Sequence, residues 1–203
     1  RFAVHPEDSR IIYAASASGG LWKTVNAGTT WESTFNGQPT ISMGDVALTP
    51  GNPDIVWVGT GEQNNVRSSQ FGNGVYRSND AGQTWRHMGL AGSRHVGRIL
   101  IHPDNPDIVY VAALGSLWGP NDDRGLYRTT DGGENWERLL RPSAYTGVVE
   151  VQMHPDNPNV LYAATFQRER RMWSMVGGGD EGGLYRSNDG GDSWSRVENG
   201  FPT

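Results

Sequence analysis

The residues best able to do chemistry in this 203-residue sequence are its carboxylates, and three of them recur in one setting. Asp80, Asp131 and Asp189 each hold the third place of the pattern Ser/Thr-x-Asp-x-Gly-x-x-Trp, which closes on Trp85, Trp136 and Trp194. A further copy closes on Trp31 and has Asn26 in the acidic place. A carboxylate can be a general acid, a base or a metal ligand, but a group repeated along the chain is a poor candidate for one unique active site. The pattern has a structural explanation instead. The Asp or Asn can accept hydrogen bonds from backbone N–H groups further on, as in an Asx-turn. The Gly supplies a positive φ without steric cost. The Trp is an apolar anchor whose indole N–H can find a carbonyl. The stretch therefore reads as a hairpin, Asn26 can make the same turn, and no residue is assigned a catalytic role.

If the framework is repeated, function is expected in what is not repeated. Three long segments differ from one another: residues 61–74, 115–125 and 167–183. They carry Arg67, Trp118, Arg124, Arg170 and Trp173, which form the candidate ligand site. Indole faces stack on sugar rings or alkyl chains, and guanidiniums orient polar groups. The same segments hold Glu62, Asp122, Asp123, Glu169, Asp180 and Glu181, from which the two carboxylates of a glycosidase would have to come. Asp122-Asp123 supplies too few oxygens for calcium, which takes about six to eight. His5, His102 and His154 recur ahead of Pro and read as turn caps spread around the molecule. His95 reads as a surface-loop histidine and His87 as a structural one. Arg168-Glu169-Arg170-Arg171 reads as a solvated loop, with an anionic partner as the sharper alternative. No metal and no cofactor is expected.

The elements that must position these residues also repeat. Apolar segments end at Pro6, Pro50, Pro103 and Pro155, each followed by a polar turn. Next come strand-like runs at 11–15, 55–59, 108–112 and 160–164, rich in β-branched and aromatic residues and apolar on both faces. Leu21-Trp22-Lys23, Val75-Tyr76-Arg77, Leu126-Tyr127-Arg128 and Leu184-Tyr185-Arg186 then lead into the hairpin and the Trp strand. Each unit thus holds four strands, A to D, in roughly 50 residues, the size of a β-propeller blade. The fold class is all-β: a propeller of four-stranded antiparallel blades, four of them in this chain, at about 1–36, 37–90, 91–141 and 142–203. The A–B turns and hairpins should share one rim, and the D–A and B–C connections the other. The Lys and Arg beside the C-strand aromatics should lie along the blades with their stems over the rings. With 28 Gly and 8 Trp, the composition suits tight turns between aromatic-packed strands. The net charge of -5 has no basic stripe, so no nucleic-acid partner is expected. No apolar run reaches about 18 residues, so no membrane insertion is expected. The chain starts at Arg1 and has no Cys, so it reads as mature, trimmed or incomplete and without disulfides.

The four hairpins resemble the Asp-box, or bacterial neuraminidase repeat. Gly19-Gly20-Leu21-Trp22-Lys23-Thr24 and Val58-Gly59-Thr60-Gly61-Glu62 look like secreted bacterial sortilin-like or glycosyl-hydrolase-like repeat proteins. The resemblance implies a fold and not an activity. Sialidases would need an Arg-Ile-Pro motif, and here Arg98-Ile99 is followed by Leu100. Xyloglucanases resemble the first blade, but Ala17 stands where their carboxylate would sit. With the unrepeated loops as a binding rim, the chain reads as a non-enzymatic propeller that binds a protein or glycan, secreted or periplasmic as the proteins it resembles are, with a polysaccharide hydrolase or lyase as the alternative. The hosts of this repeat usually have more blades, which favours a fragment completed by further blades over a ring closing on four or an association with a second chain.

Overall fold

Each repeat unit folds as one antiparallel sheet whose strands lie side by side in chain order. The computed structural model describes residues 1–200, so the expected end of the last unit at 203 lies outside the described residues. Blade 1 holds β1 (Phe2–Val4), β2 (Ile12–Ser16), β3 (Gly20–Thr24) and β4 (Glu32–Ser33). Blade 2 holds β5 (Met43–Thr49), β6 (Asn52–Thr60), β7 (Val75–Ser78) and β8 (Arg86–His87). Blade 3 holds β9 (Val96–Ile101), β10 (Val109–Ala113), β11 (Gly125–Thr129) and β12 (Glu137–Leu140). Blade 4 holds β13 (Thr146–His154), β14 (Asn157–Arg170), β16 (Gly183–Ser187) and β17 (Ser195–Arg196). An additional strand, β15 (Met175–Gly177), pairs with the far end of β14. The segment read from sequence as an irregular loop, 167–183, therefore begins as a hairpin arm.

Strand alternation explains why both faces of the inner blades are apolar. In blade 2, Val46, Val58 and Tyr76 are paired across the sheet and face one way, and Trp57, between Val56 and Val58, faces the other. The first set packs on Tyr13, Leu21 and Phe35 of blade 1. Trp57 packs on Ile99, Val111 and Tyr127 of blade 3. A third cluster joins Tyr110, Ala112 and Leu126 of blade 3 to Val148, Val151 and Leu161 of blade 4. Trp57, Val56, Val58, Val109, Val111 and Leu161 are fully buried. By transfer arithmetic each such side chain stabilises the stack by about 1.5–3 kcal/mol.

The Asp-box hairpins are the most regular part of the molecule. In each, the leading hydroxyl accepts two backbone N–H groups and donates to the third residue's side chain; Ser187 Oγ takes Asp189 N and Gly191 N at 3.3 and 2.8 Å. Asp189 Oδ1 then accepts Ser193 N at 2.9 Å, as Asp131 does Asn135 N, Asp80 does Thr84 N and Asn26 does Thr30 N. Side-chain hydrogen bonds from Thr84, Asn135 and Ser193, and then these backbone amides, hold Asp80, Asp131 and Asp189 down to about 2, below the usual carboxylate range. Two successive residues take positive φ, the Gly and the residue before it, so Ala27 and Ala81 are left-handed as well. Trp85 and Trp136 donate their indole N–H groups to Thr34 O and Met88 O of the preceding blade. Trp31 and Trp194 donate to Gly28 O and Gly191 O within their own hairpins.

The A–B turns lie against these hairpins, with Ala81, Gly132 and Gly190 N–H groups donating to Asp54, Asp107 and Asn159 carbonyls. His5, His102 and His154 stiffen the same turns, their Nδ1 atoms accepting the amides of Asp8, Asp104 and Asp156. The D–A and B–C connections meet on the opposite rim, where Gly72 N donates to Arg94 O and Leu114 N to His95 O.

Candidate functional site

The B–C rim is built by bonds between blades rather than within them. Its centre is Arg168, at the end of β14 and 1 % exposed. Its Nη1 donates to Gln63 O and Asn65 Oδ1 of blade 2, both at 2.8 Å. The Arg168 carbonyl in turn accepts Arg124 Nη2 from blade 3 at 3.2 Å. Arg170 N donates to Leu117 O of blade 3, and Arg67 Nη2 of blade 2 to Met172 O. The hairpin arm of blade 4 is thus held over blades 2 and 3. Burial pushes the two guanidiniums down, Arg124 to about 10 and Arg168 to about 9, and their carbonyl acceptors offset that cost.

The five expected ligand residues are not equivalent. Trp173 is 79 % exposed and its neighbour Met172 74 %, at the tip of the arm. Trp118, on the blade 3 loop that Arg170 bonds, is 39 % exposed. On the same rim Arg67 is exposed and Arg170 half-buried. Arg124 is a correction: it is fully buried, and its donors go to the Leu114, Ser116, Gly119 and Arg168 carbonyls. The blade 3 loop closes around a side chain with five donors, so the guanidinium is a clamp and not a surface group. His95 is a second correction. Expected in a surface loop, it is wholly buried, with Nδ1 2.6 Å from Glu62 O. Burial, and then the charge of Arg168, lower it to about 3, so the ring is neutral at ordinary pH. A third is Arg168, read with its neighbours as part of a solvated run.

Four of the six candidate carboxylates of this rim are tied down, while Asp123 and Asp180 are exposed. Glu169 pairs with Arg171 at 2.7 Å and Asp122 with Arg141. Glu181 accepts Ser143 Oγ and Thr146 Oγ1, which lower its pKa. Glu62 is buried and accepts Asn64 Nδ2 at 2.8 Å. Among the described residues no group of three or more His, Cys, Asp or Glu could hold a metal ion.

Below the rim lies a set of charges that sequence reasoning missed. Arg1, Asp45, Arg98 and Glu150 occupy one register position, opposite Ala15, Gly59, Ala112 and Ala164 of the B strands. They form an alternating cycle near the axis: Arg1–Asp45 4.0 Å, Asp45–Arg98 3.9 Å, Arg98–Glu150 3.3 Å and Glu150–Arg1 3.2 Å. Burial raises the Asp45 pKa, against the opposing pull of Ile99 N–H and Arg98. A small cavity of about 120 Å³ connects this layer to the rim, lined by Arg1, Ala17, Met43, Glu62, Gln63 and Asn64. The signal was present: each of the four stands five positions before a strand-ending Pro.

Four-stranded antiparallel blades, Asp-box hairpins on one rim and variable loops on the other define an Asp-box β-propeller. Residues 73–202 match the Sortilin-Vps10 family model, described as sortilin, neurotensin receptor 3, and the chain belongs to that family. The chain is also similar, at 27 % identity over 97 % of its length, to a xyloglucanase of Paenibacillus sp, of which it covers 20 %. A xyloglucanase of Acetivibrio thermocellus is 24 % identical over 97 % of the chain and 25 % of the enzyme. The chain spans about a fifth to a quarter of the length of the curated relatives it matches. Among solved structures, an ancestral enzyme of glycoside hydrolase family 74 superposes with a TM-score of 0.74 at 20 % identity, covering 98 % of this chain and 24 % of that one. An auxiliary nutrient binding protein from Bacteroides thetaiotaomicron gives 0.55 at 12 % identity, over 96 % and 43 %. These superpositions establish the propeller architecture; the sortilin-like and glycosyl-hydrolase-like resemblance read from the hairpins is borne out.

Proposed function

We propose that this chain is a non-enzymatic propeller, secreted or periplasmic, that binds a protein or glycan partner through the B–C rim, as part or all of a propeller domain spanning 1–203. The observation that carries this reading is the arm of blade 4. Met172 and Trp173 are held in solvent at 74 % and 79 % exposure, on a loop fixed by Arg67, Arg168 and the Arg171 N–Ser174 O bond. An apolar pair displayed on an anchored loop loses little entropy on binding. Trp118, Arg170 and Arg67 share the rim with it, which suits a ligand offering both a flat apolar face and polar groups.

The xyloglucanase relatives favour a second reading, hydrolysis of a polysaccharide. Against it stand Ala17, in place of a carboxylate, and the ion pairs and hydroxyl bonds on Glu169, Asp122 and Glu181. A general acid needs a raised pKa near the operating pH, and Glu181 is shifted the other way.

Titration with xyloglucan oligosaccharides and with a peptide library, alongside a reducing-end assay, separates the readings. Binding that Trp173→Ala weakens at least tenfold, with no new reducing ends, is the expected result. Release of reducing ends would establish the hydrolase. Unchanged affinity in both Trp173→Ala and Arg170→Ala would move the site elsewhere.

A further inference from the structure

The joints from blade 1 to 2, 2 to 3 and 3 to 4 are closed at their Asp-box end by one set of positions. The first blade of each joint offers a C-strand cation and, paired with it across the sheet, the first residue of its D strand: Lys23 with Glu32, Arg77 with Arg86 and Arg128 with Glu137. The next blade offers the fourth and sixth residues of its Asp-box. The fourth always gives its carbonyl: Ala81 O to Lys23, Gly132 O to Arg77 and Gly190 O to Arg128.

At the sixth residue the joints diverge. Between blades 3 and 4, Arg128 reaches both sides, with Nη1 on Asp192 Oδ1 at 2.7 Å and Nη2 on Glu137 Oε2 at 2.9 Å. Between blades 2 and 3, Arg86 forks onto Glu134 at 2.7 and 2.8 Å. In both, one guanidinium joins the D strand of one blade to the sixth residue of the next Asp-box. Between blades 1 and 2 the same two places hold Glu32 and Gln83. The C-strand cation there is Lys23, the only lysine in the sequence, and its ammonium is directed to Ala81 O at 2.9 Å. Among the described residues Glu32 makes no ion pair. Gln83 turns its amide N–H onto Asp80 O of its own hairpin at 3.1 Å, which leaves its side-chain oxygen as an acceptor.

A cleft of about 410 Å³ opens at this place, with Lys23, Val25, Glu32, Asn36 and Gln83 in its lining. Its size is that of a small-ligand cleft. Glu32, Asp54 and Asp80 all act on the Lys23 ammonium, so three carboxylates surround one cation and the cleft is acidic on balance. A solvent-open carboxylate with an amide oxygen beside it matches a planar guanidinium, whose parallel donors bind bidentately where an ammonium makes a point contact. Val25, 60 % exposed, offers apolar cover for a methylene stem.

We propose that this cleft binds the guanidinium of an arginine side chain presented by a peptide or protein partner, forked on Glu32 with Gln83 Oε1 as a further acceptor. The occupant supplies from outside the group that Arg86 and Arg128 supply from within at the other two joints. The cleft lies at the opposite end of the blades from the B–C rim, so it is independent of the ligand site there. A single exposed ion pair is weak, so an isolated arginine binds in the millimolar range and a partner adds contacts around it.

The test is an amide NMR titration with N-acetyl-arginine amide at constant ionic strength, with N-acetyl-lysine amide in parallel. The expected result is saturable shifts at Glu32, Ser33 and Gln83, with the lysine compound about fivefold weaker. Lys23→Arg, whose own guanidinium fills the cleft as Arg128 does at its joint, should abolish the response. Glu32→Gln, an exposed change that keeps the fold, should weaken it about fivefold. The absence of saturable shifts overturns the proposal. So does an equal response to the lysine compound, which reduces the effect to charge screening, and so does unchanged binding in Glu32→Gln or in a folded Lys23→Arg.

Discussion

The two rims of the propeller are built on opposite plans. On the Asp-box rim most bonds run inside one hairpin, from a hydroxyl, a carboxylate and two left-handed residues that lie within eight positions of each other. Four copies give four closely similar turns, which differ in where the Trp indole donates. On the B–C rim the bonds cross from blade to blade: Arg168 to Gln63 and Asn65, Arg124 to the Arg168 carbonyl, Arg67 to Met172, His95 to Glu62. None of these has a counterpart in another unit. Local chemistry makes the scaffold repeat, and non-local chemistry makes one rim unlike the other. The hairpins alone give a ligand little by which to tell one blade from another, and the loops of the second rim give it much.

This contrast is broken most strongly at Arg168. Truncation in Arg168→Ala removes the Nη1 group that makes both bonds to blade 2 and leaves Gln63 O and Asn65 Oδ1 without that partner. Lost buried hydrogen bonds and the cavity together should cost about 3 kcal/mol. The urea midpoint should fall by the corresponding amount, and proteolysis of the 167–183 arm should accelerate well before global unfolding. An unchanged midpoint would mean that the rim is not held together through this side chain.

A smaller effect follows from His95. Its pKa is near the ordinary 6.5 when unfolded and about 3 in the fold. Between those values the unfolded chain binds the extra proton, so this group's contribution to stability falls as pH falls. Between pH 7 and pH 5 the loss should be about 2 kcal/mol. Asp45, with its raised pKa, acts in the opposite direction below its folded pKa, so the measurement is the difference between the wild type and His95→Gln. Denaturant titrations at several pH values should show the wild type losing stability on acidification more steeply than the variant. Parallel profiles would exclude a buried neutral imidazole.

These two residues also mark where the sequence stops being legible. The hairpins could be read because the hydroxyl, the acid and the amides they bind lie within a few positions, and the strand order followed from the repeat. The turn histidines follow the same local logic, whereas the Lys and Arg expected over the C-strand rings lie over B-strand rings instead: Lys23 over Tyr13, Arg77 over Trp57 and Arg186 over Tyr162. Arg124, Arg168 and His95 look like ordinary loop residues in sequence, since the carbonyls that bury them come from elsewhere: Gln63 reaches Arg168 across 105 positions. The charge layer of Arg1, Asp45, Arg98 and Glu150 is an intermediate case. Its spacing before the prolines was readable, but the alternating signs acquire meaning only when the A strands converge on one axis.

The joints between blades tie one rim to the next blade and should respond more weakly. Tyr110→Phe removes one of the two donors to Gly190 O while Arg128 keeps the other. The expected loss is about 1 kcal/mol, read from thermal unfolding. Tyr162→Phe, the same change in blade 4, should leave the melting temperature of this chain unchanged. Equal losses in both would mean that the hydroxyl stabilises its own blade instead of the joint.

The smallest effect should come from the residue that gives the hairpin its name. Asp131 accepts Asn135 N, Asn135 Nδ2 and the Thr129 hydroxyl, and Asn26 shows how far an amide can replace it. Asn26 Oδ1 accepts Thr30 N and the Thr24 hydroxyl, and its Nδ2 turns from acceptor to donor toward Thr30 Oγ1 at 2.8 Å. In Asp131→Asn the partner of the new amide is the Asn135 side chain, whose own amide can rotate to present its oxygen. The network then closes again with one bond reversed, and at neutral pH the melting temperature should move less than in Arg168→Ala or Tyr110→Phe. The difference should appear in acid. With its folded pKa near 2, Asp131 contributes stability that is present above the ordinary carboxylate range and is lost as pH falls toward 2, whereas the substituted amide has no proton to gain. Below pH 4 the wild type should therefore lose stability relative to the variant, while Asp131→Ala, which leaves the Asn135 amide without its acceptor, stays destabilised at neutral pH. If Asp131→Asn proved as damaging as Asp131→Ala, the charge itself would be essential, and Asn26 would need a compensation in blade 1 that the other hairpins lack.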